Sequence, residues 1–302
     1  MAERRRVAHE LLVAAVWHAT PPTEPPQDAL RDALALARRN DVEGQFASAF
    51  PILQPEADRV AEVAASFLEN LDEATRRLAE ADVLTVLIKA PAEQPYAYSN
   101  FDLVVGRDGW LAAIEALDSW AVRRSRHPLE ATKLLMHPAH GPAAHLHQGV
   151  IWFDVPVVPT DRLRAASVAG PGPWRVPGPA DEIRILLAHA VFQNLALDLS
   201  ELMQFRRRAT DGLYREAMAE ATAEGWSTGL SMAWECAASA VEALDAGRPI
   251  PLPLPLPLAA SFGAGYRHAA SLVRRGAIVD GIREALLRAP LIAAKRRRLA
   301  LA

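Results

Sequence analysis

The sequence predicts an α+β fold in which a small mixed β-sheet is held between an N-terminal and a C-terminal helical region. Three observations predict it. Residues 1 to about 80 repeat apolar side chains at three- and four-residue spacing, the period of amphipathic helices. Near residue 80 the period gives way to continuous β-branched runs such as "VLTVLIKA", Val83 to Ala90, the pattern of strands covered on both faces. After Pro159 the helical period returns. The expected organisation is a helical region over 1–80, a mixed α/β core over 81–165 and a helical region with a Pro-rich strap over 166–302.

Each element follows from local pattern. "MAERRRVAHELLVAAVWHAT" has the basic-then-apolar order of a signal peptide, but His9 and Glu10 interrupt a short apolar stretch, so it reads as an amphipathic helix. "TPPTEPPQ" separates it from the helices "DALRDALALARRNDVEG" and "EADRVAEVAASFLENLDEATRRLAEA". "NFDLVV" is a second strand, "GWLAAIEALDSW" a helix, and "AVRRSR" and "TKLLMHP" are strand candidates. "AAHLHQGVIWFDVPVV" is long enough to form a hairpin with its predecessor across Gly141-Pro142. Beyond the Gly- and Pro-dense "AGPGPWRVPGPA", the stretch "DEIRILLAHAVFQNLALDLSELMQFRRRA" reads as one helix, with Asp181 as N-cap and Arg206 to Arg208 complementing the dipole at its end. Two further helices follow, around "GLYREAMAEATAEG" and "STGLSMAWECAASAVEALDAG". "PIPLPLPLPL" lacks the N–H donors of a central strand and reads as an extended strap whose leucines pack on the protein's own helices.

Bulk properties exclude several classes. Apolar residues make up 51% and charged residues 23% of 302 positions, which is ordinary globular material able to bury a full core. A formal charge of -3 gives no global attraction for nucleic acid or anionic lipid. Cys236 is the only cysteine, which excludes an intramolecular disulfide and a multi-thiolate metal site and fits a reducing, cytoplasmic setting. No apolar run reaches the ~18 residues of a membrane span. The basic "KRRR" of Lys295 to Arg298 reads as a solvated helix end. Glycine-rich phosphate loops, a dinucleotide fingerprint and a nucleophile elbow are all absent from the sequence.

What chemistry remains centres on "YSNFDLVV", Tyr98 to Val105. Residues two apart on a strand share a face, so Asn100, Asp102 and Val104 point one way and Phe101, Leu103 and Val105 the other. Asp102 is then either a strand-end acid meeting solvent or the edge of a metal site. Nucleotidyl transfer places carboxylates in such a position because Mg²⁺ prefers hard oxygen ligands and must bridge phosphate oxygens. Asp154 in "VIWFDVPV" is the natural further ligand from another strand.

The order of these segments resembles the uncharacterised bacterial nucleotidyltransferase family, within the polymerase-beta-like superfamily. "VLIKA" stands for the family's first strand, "NFDLVV" for the strand that carries its Asp-x-Asp, "WFDVPV" for the later acidic strand and "LLAHAVFQNLALDLSELM", with His189, for its helix. The resemblance implies a nucleotidyltransferase-type sheet and transfer of a nucleoside monophosphate from an NTP to a small-molecule or protein acceptor. It implies Mg²⁺ held by Asp102 and Asp154 with help from Asn100, and nucleotide contacts from Lys89, Tyr98 and Ser99. The sequence departs from the family at Asn100, where the first acid would stand, and at Ala90, where a Gly would follow the lysine. Those departures leave two other readings open: a catalytically degenerate member that binds a nucleotide or a partner, and an enzyme that reuses the cleft for another substrate.

Histidines supply a rival site. His137, His140, His145 and His147 crowd into "HPAHGPAAHLH", and His145-Leu146-His147 puts two imidazoles on one strand face, as a zinc site uses them. Counted along one continuous strand, Asp154 lies on the opposite face, so the pair is expected to stand apart from the carboxylates in a solvent-facing hairpin. His189, Trp226 and Trp234 are expected in the core, and Cys236 as inert packing.

Overall fold

A computed structural model describes residues 2–89, 98–124, 132–152 and 154–301. The N-terminal helices are α1 (Ala2–Leu12), which runs on as a π-helical turn over Val13–Trp17, then α2 (Gln27–Arg38), α3 (Glu43–Ser48) and the long α4 (Gln54–Glu80). The sheet segment follows as β1 (Val86–Ile88), β2 (Asn100–Val104), α5 (Trp110–Ala116), β3 (Ala121–Arg124), β4 (Lys133–His137) and β5 (Ala143–His147). Next come β6 (Val150–Trp152), β7 (Val155–Val158), α6 (Thr160–Ala166), β8 (Val168–Ala169) and β9 (Arg175–Val176). The remainder is α7 (Pro179–Ala188), a π-helical turn over His189–Asn194, β10 (Ala196–Leu197), α8 (Leu199–Arg208), α9 (Asp211–Ala223), α10 (Ser227–Asp245), β11 (Leu254–Pro255), α11 (Leu258–Arg274) and α12 (Ile278–Leu301). The fold class is α+β, as the sequence predicts. Among the described residues no helix is long and apolar enough to cross a membrane.

The main sheet is mixed, in the order β3-β4-β5-β2-β1-β9-β8. β2 is central: it pairs antiparallel with β1 and parallel with β5. Its side chains divide between two cores with the expected period of two. Phe101, Leu103 and Val105 join Phe67, Leu71 and Leu78 of α4 and Leu117 and Trp120 near α5. Phe67 and Phe101 meet edge to face, ring centroids 5.5 Å apart, an arrangement that aromatic quadrupoles favour. Val104 instead joins Val86, Ile88 and the apolar faces of the N-terminal helices and of α7, α8 and α10. Both faces of the sheet thus meet apolar partners, and the polar residues of β2 and β5 alternate with the apolar ones and keep to a single face.

Two expectations fail for physical reasons. The predicted strand over 143–158 is not continuous: β5 ends at His147, and β6 and β7 form a separate two-stranded sheet that turns at Asp154, whose φ is +63°. Pro156 stands opposite Ile151 there, and a residue without an N–H cannot sit in the middle of a larger sheet. The predicted helix over 181–209 is broken. Leu195 takes a left-handed φ of +58°, and Asp198 opens α8 with a capping box in which its carboxylate accepts from the Glu201 amide while Glu201 accepts from the Asp198 amide. A left-handed residue without glycine costs about 1–2 kcal/mol. The cap, typically ~1 kcal/mol, and the burial of Leu195 offset that cost. Asp181 is not the N-cap of α7; Pro179 occupies the first turn, and Asp181 is buried against Arg184 at 2.9 Å. The strap behaves as expected: Leu254 and Pro255 pair with β10 and Leu256 is buried. Of "AVRRSR", Ser125 and Arg126 lie outside the described residues.

Candidate metal centre and cleft

The site begins with strand register. Asp102 on β2 stands level with His145 on the parallel neighbour β5 and with Ile88 on the antiparallel neighbour β1. On β5, Ala144 and Leu146 enter the core beneath the sheet, so His145 and His147 rise from the same face as Asp102. Asp102 Oδ1 lies 3.1 Å from His145 Nδ1 and 2.7 Å from His147 Nε2. Lys89, the first residue past β1, has a left-handed φ of +55° and brings its Nζ to 2.8 Å from Asp102 Oδ2. Asn100 Nδ2 donates to the same oxygen at 3.3 Å.

These contacts fix the charge states. Burial opposes ionisation of Asp102, but the Lys89 ammonium and hydrogen bonds from His145 and His147 prevail and hold its carboxyl well below the usual range. Burial, reinforced by repulsion from His145, pushes His147 down to about 3, although Asp102 works the other way. His147 is therefore neutral at neutral pH, the state in which imidazole ligates a metal. The ligand atoms of Asp102, His145 and His147 lie within 4.8 Å of one another, and among the described residues no other such group forms. This cluster can hold a metal ion.

The centre opens on a cleft of about 510 Å³. The sheet supplies one wall, with Lys89, Arg123, Lys133 and His145; the elbow between α7 and α8 supplies the other, with Glu182, His189, Asp198, Glu201 and Gln204. Asp41 completes the second wall from the end of α2. It is held there because its neighbour Asn40 is fully buried and accepts the Leu199 amide at 3.1 Å, tying that turn to the start of α8.

Of the residues that the sequence singled out, Lys89, Tyr98, Asn100 and Asp102 line this cleft together. Ser99 contributes a hydroxyl bond to Asn100 Oδ1 at 3.4 Å. Ala90 lies outside the described residues. Asp154 is not brought to Asp102: it sits on the β6–β7 turn, 3.3 Å from Arg283 of α12, because the strand that would have carried it inward belongs to the separate small sheet. The histidine pair is the converse correction. Parity along one strand sets it apart from Asp154, whereas the partner that matters is β2, and parallel pairing lays both imidazoles on Asp102. His189 is half-buried on the cleft wall, its Nδ1 3.2 Å from Glu201 Oε1, rather than enclosed in the core.

Sequence reading missed the acidic wall, though the spacing Asp198-x-x-Glu201, a capping box, carried the signal for a helix start inside the predicted long helix. One test separates the two acids of the original expectation. Asp154→Asn, which keeps a residue tolerant of left-handed φ, is expected to leave the melting-temperature response to divalent ions unchanged, as measured by calorimetry with and without metal. A lost response would put Asp154 in the centre.

Comparisons with protein-family models, with curated proteins and with solved structures find no match to this chain.

Proposed function

We propose that the protein is a nucleotidyltransferase-like transferase that takes a nucleoside triphosphate into the cleft, with a divalent ion at Asp102, His145 and His147 and with Lys89 at the phosphates. The observation that supports this reading is the convergence of a buried carboxylate, two imidazoles and an ammonium on one sheet face, at the floor of a cleft of about 510 Å³. That volume falls within the ~300–1,000 Å³ of small-molecule sites. One carboxylate and two imidazoles suit an ion of the zinc class better than Mg²⁺, which favours oxygen ligands in octahedral array. Such an ion, when bound, supplies positive charge against phosphoryl oxygens.

The chain's own residues do the rest. Lys89 carries a positive charge beside the centre, and Asn100 holds the outer oxygen of Asp102 in place. Buried Lys133, level with His147 in the sheet, adds to the positive field of that wall. In this reading an acceptor approaches from the α7–α8 wall, across the cleft from Lys89 and the Asp102 centre.

A binding-only version is the second reading, and one observation favours it. Lys89 already satisfies Asp102, so the cluster carries a single carboxylate charge that is balanced without any ion. Calorimetric titration of the four NTPs in EDTA, Mg²⁺ and Zn²⁺, followed by assay of released pyrophosphate, separates the readings. Metal-dependent binding with pyrophosphate release supports the transferase. Binding without turnover supports the second reading, and no binding under any condition removes both.

A further inference from the structure

The helical wall of the cleft carries three carboxyl groups, Asp41, Asp198 and Glu201, that no lysine or arginine among the described residues pairs. Among the described residues neither Asp41 nor Asp198 makes an ion pair with lysine or arginine, and the ionic partner of Glu201 is His189 alone. Asp41 and Asp198 share a hydrogen bond, which requires a proton between them. Burial, then the neighbouring charge of Glu43, raises Asp41 to about 6; burial raises Glu201 to about 8; burial, then Glu201 and Asp41, raises Asp198 well above its usual range. Their nearest ammonium, Lys89, is committed to Asp102 on the opposite wall.

A second observation points from this wall to a ligand. Gln204, one turn of α8 beyond Glu201, is nine-tenths buried and lines the cleft, yet its amide makes no hydrogen bond among the described residues. Its amide therefore faces the open cleft, where a ligand can reach it. Glu201 and Gln204 are three residues apart and share a helix face, so both address the same space. The carboxylates of this wall do not converge as ligands of one ion do: among the described residues, the one group of three with ligand atoms within 4.8 Å of one another is the Asp102 centre. Spread acceptors of hydrogen bonds suit an organic cation with several N–H donors.

We infer that the α7–α8 wall is a subsite for an amine-bearing ligand, whose ammonium groups meet Asp41, Asp198 and Glu201 and whose neighbouring N–H or hydroxyl meets the Gln204 amide. That this ligand is the acceptor of the transfer rests on the function proposed above; its binding does not. An amine facing this wall from within the cleft stands opposite Lys89 and the Asp102 centre, on the side from which an acceptor approaches.

Spermidine, titrated calorimetrically into the full chain in EDTA and without nucleotide, tests the inference. Saturable binding below about 1 mM is expected, with proton release that makes the heat depend on the ionisation enthalpy of the buffer. Asp41→Asn, at a left-handed position that asparagine tolerates, is expected to weaken binding roughly tenfold. Gln204→Leu is expected to weaken it while leaving the melting temperature of the ligand-free protein equal or higher, because no hydrogen bond within the protein is lost. Asp102→Asn is expected to keep spermidine binding. A wild-type protein that responds to no metal ion and to no nucleotide, with spermidine binding intact, would refute the proposed function and leave this subsite standing. Failure to bind spermidine, equal affinity in Asp41→Asn, or displacement of spermidine by stoichiometric Mg²⁺ would overturn the subsite.

Discussion

Asp102→Asn is expected to abolish the stabilisation of this protein by divalent ions. An ion at about 100 times its Kd stabilises a folded chain by about 2.7 kcal/mol, which in a protein of this size raises Tm by several degrees. Removing an outer-shell partner of a metal ligand costs ~10–100-fold in affinity, and removing the sole carboxylate of the set must cost more. The substitution also acts without metal. Lys89 and the two histidines lose the charge that they surround, and breaking a buried pair costs about 3–5 kcal/mol. Lys89 keeps 22% of its side chain exposed and can turn to water, which places the expected loss toward the lower end of that range. The acid limb of the stability curve supplies an internal check. A carboxyl held below its unfolded value stabilises the fold above the unfolded pKa and loses that contribution as pH falls through the folded one. Asp102→Asn should flatten this limb. Scanning calorimetry in EDTA, Zn²⁺ and Mg²⁺ for wild type, Asp102→Asn and Asp154→Asn reads all of this, and a wild-type Tm that ignores every ion would mean that the cluster is a plain salt bridge.

The comparison of Asp102 with Asp154 shows which parts of the site were legible in the sequence. Period alone placed Asp102 on the polar face of β2, because Phe101, Leu103 and Val105 are large and apolar and could only face a core. The same rule failed across 143–158, where it assumed one strand. Pro156 and the left-handed turn at Asp154 break the run, and a parity argument does not survive a break. The pairing of β2 with β5 was invisible for another reason: more than forty residues separate Asp102 from His147, and no local pattern states that their strands lie parallel and adjacent. Long apolar helices were read well, since α4 and α10 need only their own periodicity. The α7–α8 elbow was missed because helix propensity runs straight through Leu195, while the capping box that restarts the chain is a two-residue signal. Tertiary contacts from the strap, where the Leu256 amide donates to the Leu195 carbonyl at 3.0 Å, complete the break. That elbow is what turns Asp198, Glu201 and Gln204 toward the sheet.

Glu201→Gln is expected to make the protein more stable, and more so as pH rises. In the folded chain burial lifts this carboxyl to about 8, whereas an unfolded chain titrates it near ~4.3. Between those values the native state holds a proton that the unfolded state releases, so stability falls with rising pH across the window and is highest below it. Glutamine removes the titration and keeps the architecture: an amide oxygen at the third helical position still accepts the Asp198 amide, as the capping box requires. A full shift of this size corresponds to about 1.4 kcal/mol per pH unit, and because Asp41 and Asp198 share the same proton-rich wall the expected gain at pH 8 is on the order of 2–4 kcal/mol. Urea unfolding of wild type and Glu201→Gln at pH 5, 6, 7 and 8 measures it. The two curves should meet near pH 5 and diverge toward pH 8; parallel curves would show that Glu201 ionises normally and that the wall carries no stored cost. A residue kept at such a cost needs a compensating partner. If an ammonium supplies it, spermidine should flatten the wild-type profile toward that of the variant and move the variant's own profile less, since Asp41 and Asp198 remain to bind it.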